Sequence, residues 1–86
     1  MEVSLSSHFL KRARMLSTKE KRLLSQRIEW FRYDIHDPRL KSHALTGKLK
    51  GMYSFSLTYG KRVTYVLTSE SAALLIDVGP HETVYR

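Results

Sequence analysis

The sequence contains no cysteine. That excludes a disulfide framework and a thiolate metal site, and it fits a reducing compartment. Proline and glycine are scarce, at 2 and 4 residues, so there is no low-complexity segment and no linker. No apolar run is long enough to span a bilayer. The first residues, Met1-Glu2-Val3-Ser4-Leu5, lack the charged and apolar regions of a signal peptide, so the expectation is a soluble cytoplasmic protein with no membrane partner. Acidic residues are also few. Eight Asp and Glu stand against 15 Lys and Arg, a net charge of +7, and the excess is spread over both halves of the chain. A balance of that kind favours an anionic partner such as nucleic acid. The alternative is a solvated basic surface without a ligand, and for any single charge that is the stronger reading.

What is present is one small domain's worth of chain, 86 residues with 42% hydrophobic content. This is enough for one core and too little for a cofactor-sized cavity inside it. Ser6 or Ser7 can cap a first helix running to about Leu16, with Phe9, Ala13 and Leu16 on one face. Ser17-Thr18 breaks the pattern, and Glu20 or Lys21 opens a second helix with an apolar stripe of Leu24, Ile28, Phe31 and Ile35. Asp37-Pro38 ends it. The two helices are expected to lie antiparallel.

Residues 52 to 78 alternate as strands do. Tyr53, Phe55 and Leu57 interleave with Ser54, Ser56 and Thr58, and Val63, Tyr65 and Leu67 interleave with Arg62, Thr64 and Val66. A two-residue loop at Tyr59-Gly60 would put Leu57 opposite Arg62 and mix the faces. The expectation is therefore a three-residue loop with Gly60 at positive φ. One face then carries Tyr53, Phe55, Leu57, Val63, Tyr65 and Leu67 against the helices. The other carries Ser54, Ser56, Arg62 and Thr64 toward solvent. A turn at Ser69-Glu70 would set Arg62 opposite Asp77. Gly79-Pro80 is expected to change the chain direction, leaving His81 at a sheet edge. Arg62 with Asp77 reads either as a cross-strand ion pair or as an anion binder oriented by a carboxylate.

No metal-ligand spacing links His8, His36, His43 and His81. Gly47 and Gly51 bracket Lys48-Leu49-Lys50 without the Lys-Ser/Thr pair of a phosphate loop. The chemistry-bearing segments that remain are His43-Ala44-Leu45-Thr46-Gly47-Lys48-Leu49-Lys50-Gly51-Met52-Tyr53-Ser54, then Lys61-Arg62-Val63, then Gly79-Pro80-His81-Glu82-Thr83-Val84-Tyr85. In this order they resemble the RelE/YafQ superfamily of bacterial toxin–antitoxin toxins, and specifically its YafQ-like branch. The resemblance covers essentially the whole chain.

That resemblance implies an α+β fold, with two N-terminal helices packed on a small, mostly antiparallel twisted sheet. A short strand from Glu2 to Leu5 is added at one side. It implies a metal-independent endoribonuclease that cuts messenger RNA on the ribosome and is neutralised by a cognate antitoxin. No cofactor is implied. By position, His81 matches the C-terminal catalytic His, His43 the His before the L-x-G motif, and Arg62 the strand Arg aimed at the scissile phosphate. Tyr85 lies near a C-terminal Tyr, and Lys48 and Lys50 fall where active-site lysines occur. Lys61 adds a neighbouring cation. The chain departs from the family in lacking a YoeB-type general-base Glu, and it has Leu57 and Lys61 where YafQ-like members carry a further His and Asp.

The chemistry supports the same set. RNA cleavage by 2′-hydroxyl attack needs a base, a cation for charge developing on phosphorus, and an acid for the leaving oxygen. His81 and His43 suit acid and base in either order. Arg62 with Lys48 and Lys50 suits the phosphate, and Tyr85 suits stacking or positioning. Arg12, Lys19, Arg22 and Arg27 are expected to dock 16S ribosomal RNA without doing chemistry. Two other readings compete. A ParE-like toxin would inhibit DNA gyrase and cleave nothing. A basic RNA-binding relative without activity would place its aromatics on the solvent face.

Overall fold

In the computed structural model, which describes residues 1 to 80, two capped helices and five strands are present. The strands are β1 (Glu2–Leu5), β2 (His43–Ala44), β3 (Tyr53–Thr58), β4 (Lys61–Ser69) and β5 (Ala72–Pro80). The helices are α1 (Ser7–Ala13) and α2 (Thr18–Tyr33). The sheet order is β1-β5-β4-β3-β2. β1 runs parallel to β5, and every other pairing is antiparallel. This is the α+β architecture expected from the sequence, including the Glu2–Leu5 strand.

Each helix starts where a hydroxyl can satisfy orphan amides. The Ser6 hydroxyl accepts from the Phe9 N–H at 3.0 Å. α2 begins earlier than expected because Ser17 and Glu20 form a reciprocal capping box: the Ser17 hydroxyl accepts from the Glu20 N–H at 3.1 Å, and Glu20 Oε1 accepts from the Ser17 N–H at 2.9 Å. α1 is shorter than expected. It stops at Ala13, although Leu16 beyond it is still buried.

The core lies between α2 and one face of the sheet. Phe31 is fully buried, 5.1 Å from the Phe55 ring and 4.7 Å from that of Tyr65. Leu57, Val63, Leu75 and Val78 complete this face. Burial pushes the Tyr65 phenol above its ordinary 10.0. Leu67, placed in the core by alternation, is 41% exposed, so the helical layer does not cover that end of β4.

Register is where the sequence reading fails, through one irregular pairing between β3 and β4 and one displaced turn between β4 and β5. Thr58 pairs with Lys61, so Tyr59-Gly60 is a two-residue turn, and Gly60 is not among the positive-φ glycines. The faces do not mix, because the register shifts between Ser56 and Thr58, leaving Phe55 opposite Val63 and Ser56 opposite Arg62. One extra residue in a strand does what the longer loop was expected to do. The next turn is Glu70-Ser71, since Ser69 pairs with Ala72. That turn alone sets Asp77 opposite Thr64 and Gly79 opposite Arg62, because the two shifts along this pairing, between Leu67 and Ser69 and between Thr64 and Tyr65, cancel. The expected Arg62–Asp77 pair is therefore not formed.

Gly79-Pro80 does not turn the chain. β5 runs through both residues, with Lys61 opposite Pro80. Proline is tolerated there because β1 pairs only with Ala72–Leu75, so its missing N–H breaks no ladder on that edge among the described residues. His43–Ala44 forms the short edge strand β2.

Candidate RNA-binding site

α1 is placed by the end of β1. The Ser6 N–H donates to the Leu75 carbonyl at 3.0 Å, and the Ser6 hydroxyl to the Ile76 carbonyl at 3.3 Å. The helix therefore starts beside β5 where β1 leaves off. Phe9 turns into the core, while His8 and Arg12, four residues apart on one stripe, meet Asp77. His8 Nε2 lies 3.3 Å from Asp77 Oδ1, and Arg12 Nη1 lies 3.7 Å from the same oxygen. The Arg12 guanidinium occupies the space that a side chain on Gly79 would need.

Directly paired residues of antiparallel strands share a face. His43, Ser54, Thr64 and Asp77 therefore form one row across β2, β3, β4 and β5. Ser56, Arg62 and Gly79 form the next row on the same face. This is the face opposite the aromatic core. Arg62 is half-buried and donates to the Ser56 hydroxyl. Among the described residues it has no carboxylate partner. Ser54 and Thr64 were expected to face solvent; they are 0% and 2% exposed. They are short side chains in a row with longer neighbours on either side.

His43 stands exposed on the edge strand, its Nδ1 3.3 Å from the Lys41 carbonyl oxygen. An Nδ1–H donating there leaves the Nε2 lone pair available as a base. From strand spacing, His43 and Arg62 are about 12 Å apart at Cα, two strands and one row removed. Lys48 and Lys50 are exposed in and just after a 3₁₀ turn at Gly47–Leu49, beside β2.

Other expected cations are engaged elsewhere. Lys61 points the other way from Arg62 and pairs with Glu20 at 2.7 Å. The Arg27 guanidinium stacks 4.4 Å from the Trp30 ring, against whose centroid Arg39 also sits at 3.8 Å. Lys19 and Arg22 are exposed on α2, on the far side of the sheet from Arg62. His81 and Tyr85 lie outside the described residues. His81 is two positions beyond Gly79 in the sequence. Among the described residues, no three His, Asp or Glu side chains converge as metal ligands would, and no helix is long and apolar enough to cross a membrane.

The sequence reading missed the grouping of His8, Arg12 and Asp77. The i, i+4 spacing of His8 and Arg12 was legible. Their carboxylate partner was not, because it lies on the last strand and is brought to α1 only by the parallel β1–β5 pairing.

No known family model matches the chain, and no curated protein sequence matches it significantly. Solved structures do match. YafQ from E. coli strain BL21(DE3) superposes with a TM-score of 0.82 at 13% identity, covering 99% of this chain and 98% of that one. The YoeB–YefM complex from Staphylococcus aureus gives 0.76 at 13% identity, covering 94% and 97%. The archaeal RelE–RelB complex from Pyrococcus horikoshii OT3 gives 0.75 at 17% identity, covering 92% of each chain. At such identities the likeness is one of fold, and it agrees with the resemblance carried by the motifs: this chain has the fold of the RelE, YafQ and YoeB toxins.

Proposed function

We propose that the chain is the toxin of a toxin–antitoxin pair, a metal-independent endoribonuclease that cuts messenger RNA on the ribosome in the cytoplasm. The observation that carries this reading is Arg62. It is a half-buried guanidinium without a carboxylate partner among the described residues, on the polar face of a sheet whose fold is that of YafQ and RelE. Complexes of RelE with RelB and of YoeB with YefM among the similar structures support a protein antitoxin as partner.

The chemistry needs a proton removed from the ribose 2′-hydroxyl. The resulting oxygen attacks phosphorus, and the leaving 5′-oxygen takes a proton, giving a cyclic phosphate. His81 and His43 serve as acid and base. Arg62 stabilises the charge that grows on the phosphoryl oxygens, where a preorganised donor is worth most. Lys48 and Lys50 guide the strand across the β2 side, and Tyr85 stacks or positions a base. Lys19 and Arg22 supply docking contacts to ribosomal RNA from the opposite side of the molecule. Arg27 and Lys61 contribute less, because Trp30 and Glu20 already engage them.

Induced expression of the chain without a partner, with mapping of message 5′ ends, tests the reading. Growth arrest with new 5′ ends in translated messages is expected, and His81→Ala should lower cleavage by about 10²–10⁴-fold. Arrest with intact messages and inhibited gyrase would replace it with the ParE-like alternative.

A further inference from the structure

The helical layer stops short over one end of the sheet. α2 ends at Tyr33, and in the turn that follows the Asp34 carboxylate accepts from the His36 N–H at 2.8 Å. Leu67 on β4 is left 41% exposed. Between the helix end and this part of the sheet lies a cavity of about 340 Å³, within the size range of small-molecule sites. Ile35 and His36 line it on one side, Tyr53, Tyr65 and Leu67 on another. Ser42 and the edge strand β2 close it.

The walls suit a flat, polar-edged ring. Tyr53 and Tyr65 stack with centroids 5.5 Å apart and 19° between their planes, and Phe31 braces Tyr65 edge-on at 4.7 Å. Tyr53 is only half-buried, so a rigid aromatic pair ends in the cavity wall. The Ser42 hydroxyl is shielded from water and makes no well-formed hydrogen bond, although the Tyr65 phenol stands beside it. Lys41, exposed and just before it, holds φ 52 and is the one non-glycine residue at positive φ among the described residues. A side chain disfavours that conformation. It swings the chain from the 3₁₀ turn at Pro38–Leu40 toward β2, and the Lys41 carbonyl lies 3.3 Å from His43 Nδ1. No carboxylate lines the cavity. His43 borders it and also stands in the polar rows that include Arg62.

We infer that this cavity holds one unstacked base of the RNA strand, with Tyr53 as its stacking platform and Ser42 and His36 as hydrogen-bonding groups for its edge. Single-stranded RNA is read in this way, by splaying a base onto an aromatic ring and bonding its edge. A base also gives the buried Ser42 oxygen the partner it lacks, which an apolar occupant would not. The inference rests on the proposed RNA substrate. It adds a base-reading site across β2 from the residues assigned to the chemistry.

The test is nuclear magnetic resonance titration of the full chain with a 2′-O-methyl RNA tetranucleotide, which cannot be cut by 2′-hydroxyl attack. Four further strands each lack the base at one position. The methyl signals of Leu67 and Ala44 should move, and the strand without the captured base should bind about 5-fold or more weakly. Leu67→Trp fills the cavity from a partly exposed position. It should weaken the intact strand by as much and leave that abasic strand unaffected. Ser42→Ala should weaken binding by about 2–10-fold, and it decides the matter if Leu67→Trp does not fold. Tyr59→Ala, at an exposed tyrosine in the β3–β4 turn, should change nothing. Equal binding of all four abasic strands, cavity methyls that do not move, or wild-type binding by a folded Leu67→Trp protein would each overturn the base site. A free nucleoside 5′-monophosphate binding as tightly as the tetranucleotide would also overturn it, by assigning the cavity to free nucleotides. Binding as expected by a chain that cuts no message would leave the base site standing and remove the nuclease reading. Cleavage by Leu67→Trp at the wild-type rate and at the same bases would do the reverse.

Discussion

The two faces of the central strands obey different rules. On one, Phe55, Val63, Tyr65 and Leu75 join Phe31 of α2 in a packed, buried layer. On the other, at the positions in between, lie Ser54, Ser56, Arg62, Thr64 and Asp77, with His8 and Arg12 reaching over from α1. Strand alternation places the two sets only a residue apart in sequence. The first set holds the fold through burial. The second carries polar groups, among them the buried Ser54 and Thr64, and the cations Arg62 and Arg12. Substitutions a single position apart should therefore fail in different ways.

The largest effect is expected on the packed face. Phe31→Ala removes a ring with 0% exposure and two aromatic neighbours, and should destabilise by about 3–5 kcal/mol. Denaturant unfolding measures this. A loss under about 1 kcal/mol would mean the core collapses around the gap and the layer is not tightly packed. On the polar face, Arg62→Ala should reduce cleavage by about 10²–10³-fold while the melting temperature stays close to wild type. Arg62→Lys should recover only part of the rate, since it keeps charge but loses the fork. Parallel melts and cleavage assays separate the two faces. A variant that melts early would assign Arg62 to the scaffold.

Smaller effects test what positions α2 beneath the sheet. Ser17→Ala removes the hydroxyl half of the capping box, leaving the backbone N–H half to Glu20, and should cost about 1 kcal/mol, read by unfolding, without altering RNA binding. The smallest concerns Glu20, whose carboxyl is held below its ordinary 4.5 mainly by the Lys61 hydrogen bond and next by the Ser17 N–H. A folded-state pKa depressed in this way contributes stability that is complete above the unfolded value and is lost as pH falls through the folded one. Wild-type stability should therefore decline below about pH 4.5, and Glu20→Gln should flatten part of that decline. Asp37, lowered by Arg39, supplies a further acid-sensitive contribution in both proteins. Identical pH profiles would show that the Glu20–Lys61 contact adds nothing to folding.

Much of this division was legible before any coordinates. Period-two alternation separated Phe55 and Tyr65 from Ser54 and Arg62, and helix periodicity found Leu24 and Phe31. What alternation cannot register is an extra residue inside a strand. The shift between Ser56 and Thr58 leaves the local pattern intact, and a turn lying one residue later than expected, at Glu70-Ser71, moves Asp77 from Arg62 to Thr64 without changing its face. The same blindness hid Arg12. Its place beside Gly79 depends on a parallel pairing between the first and last strands, which is encoded in no local signal. Arg62 could be placed on the polar face from its own strand alone, whereas the place of Arg12 needs α1, β1 and β5 together.

The most direct measurement is the cleavage of a message held on the ribosome by wild-type and Arg62→Ala chains shown to melt at the same temperature. Cutting by the wild type, slowed about 100-fold or more in the variant, is the expected result. Equal cutting by both, or none by either, would contradict the assignment of chemistry to the polar face.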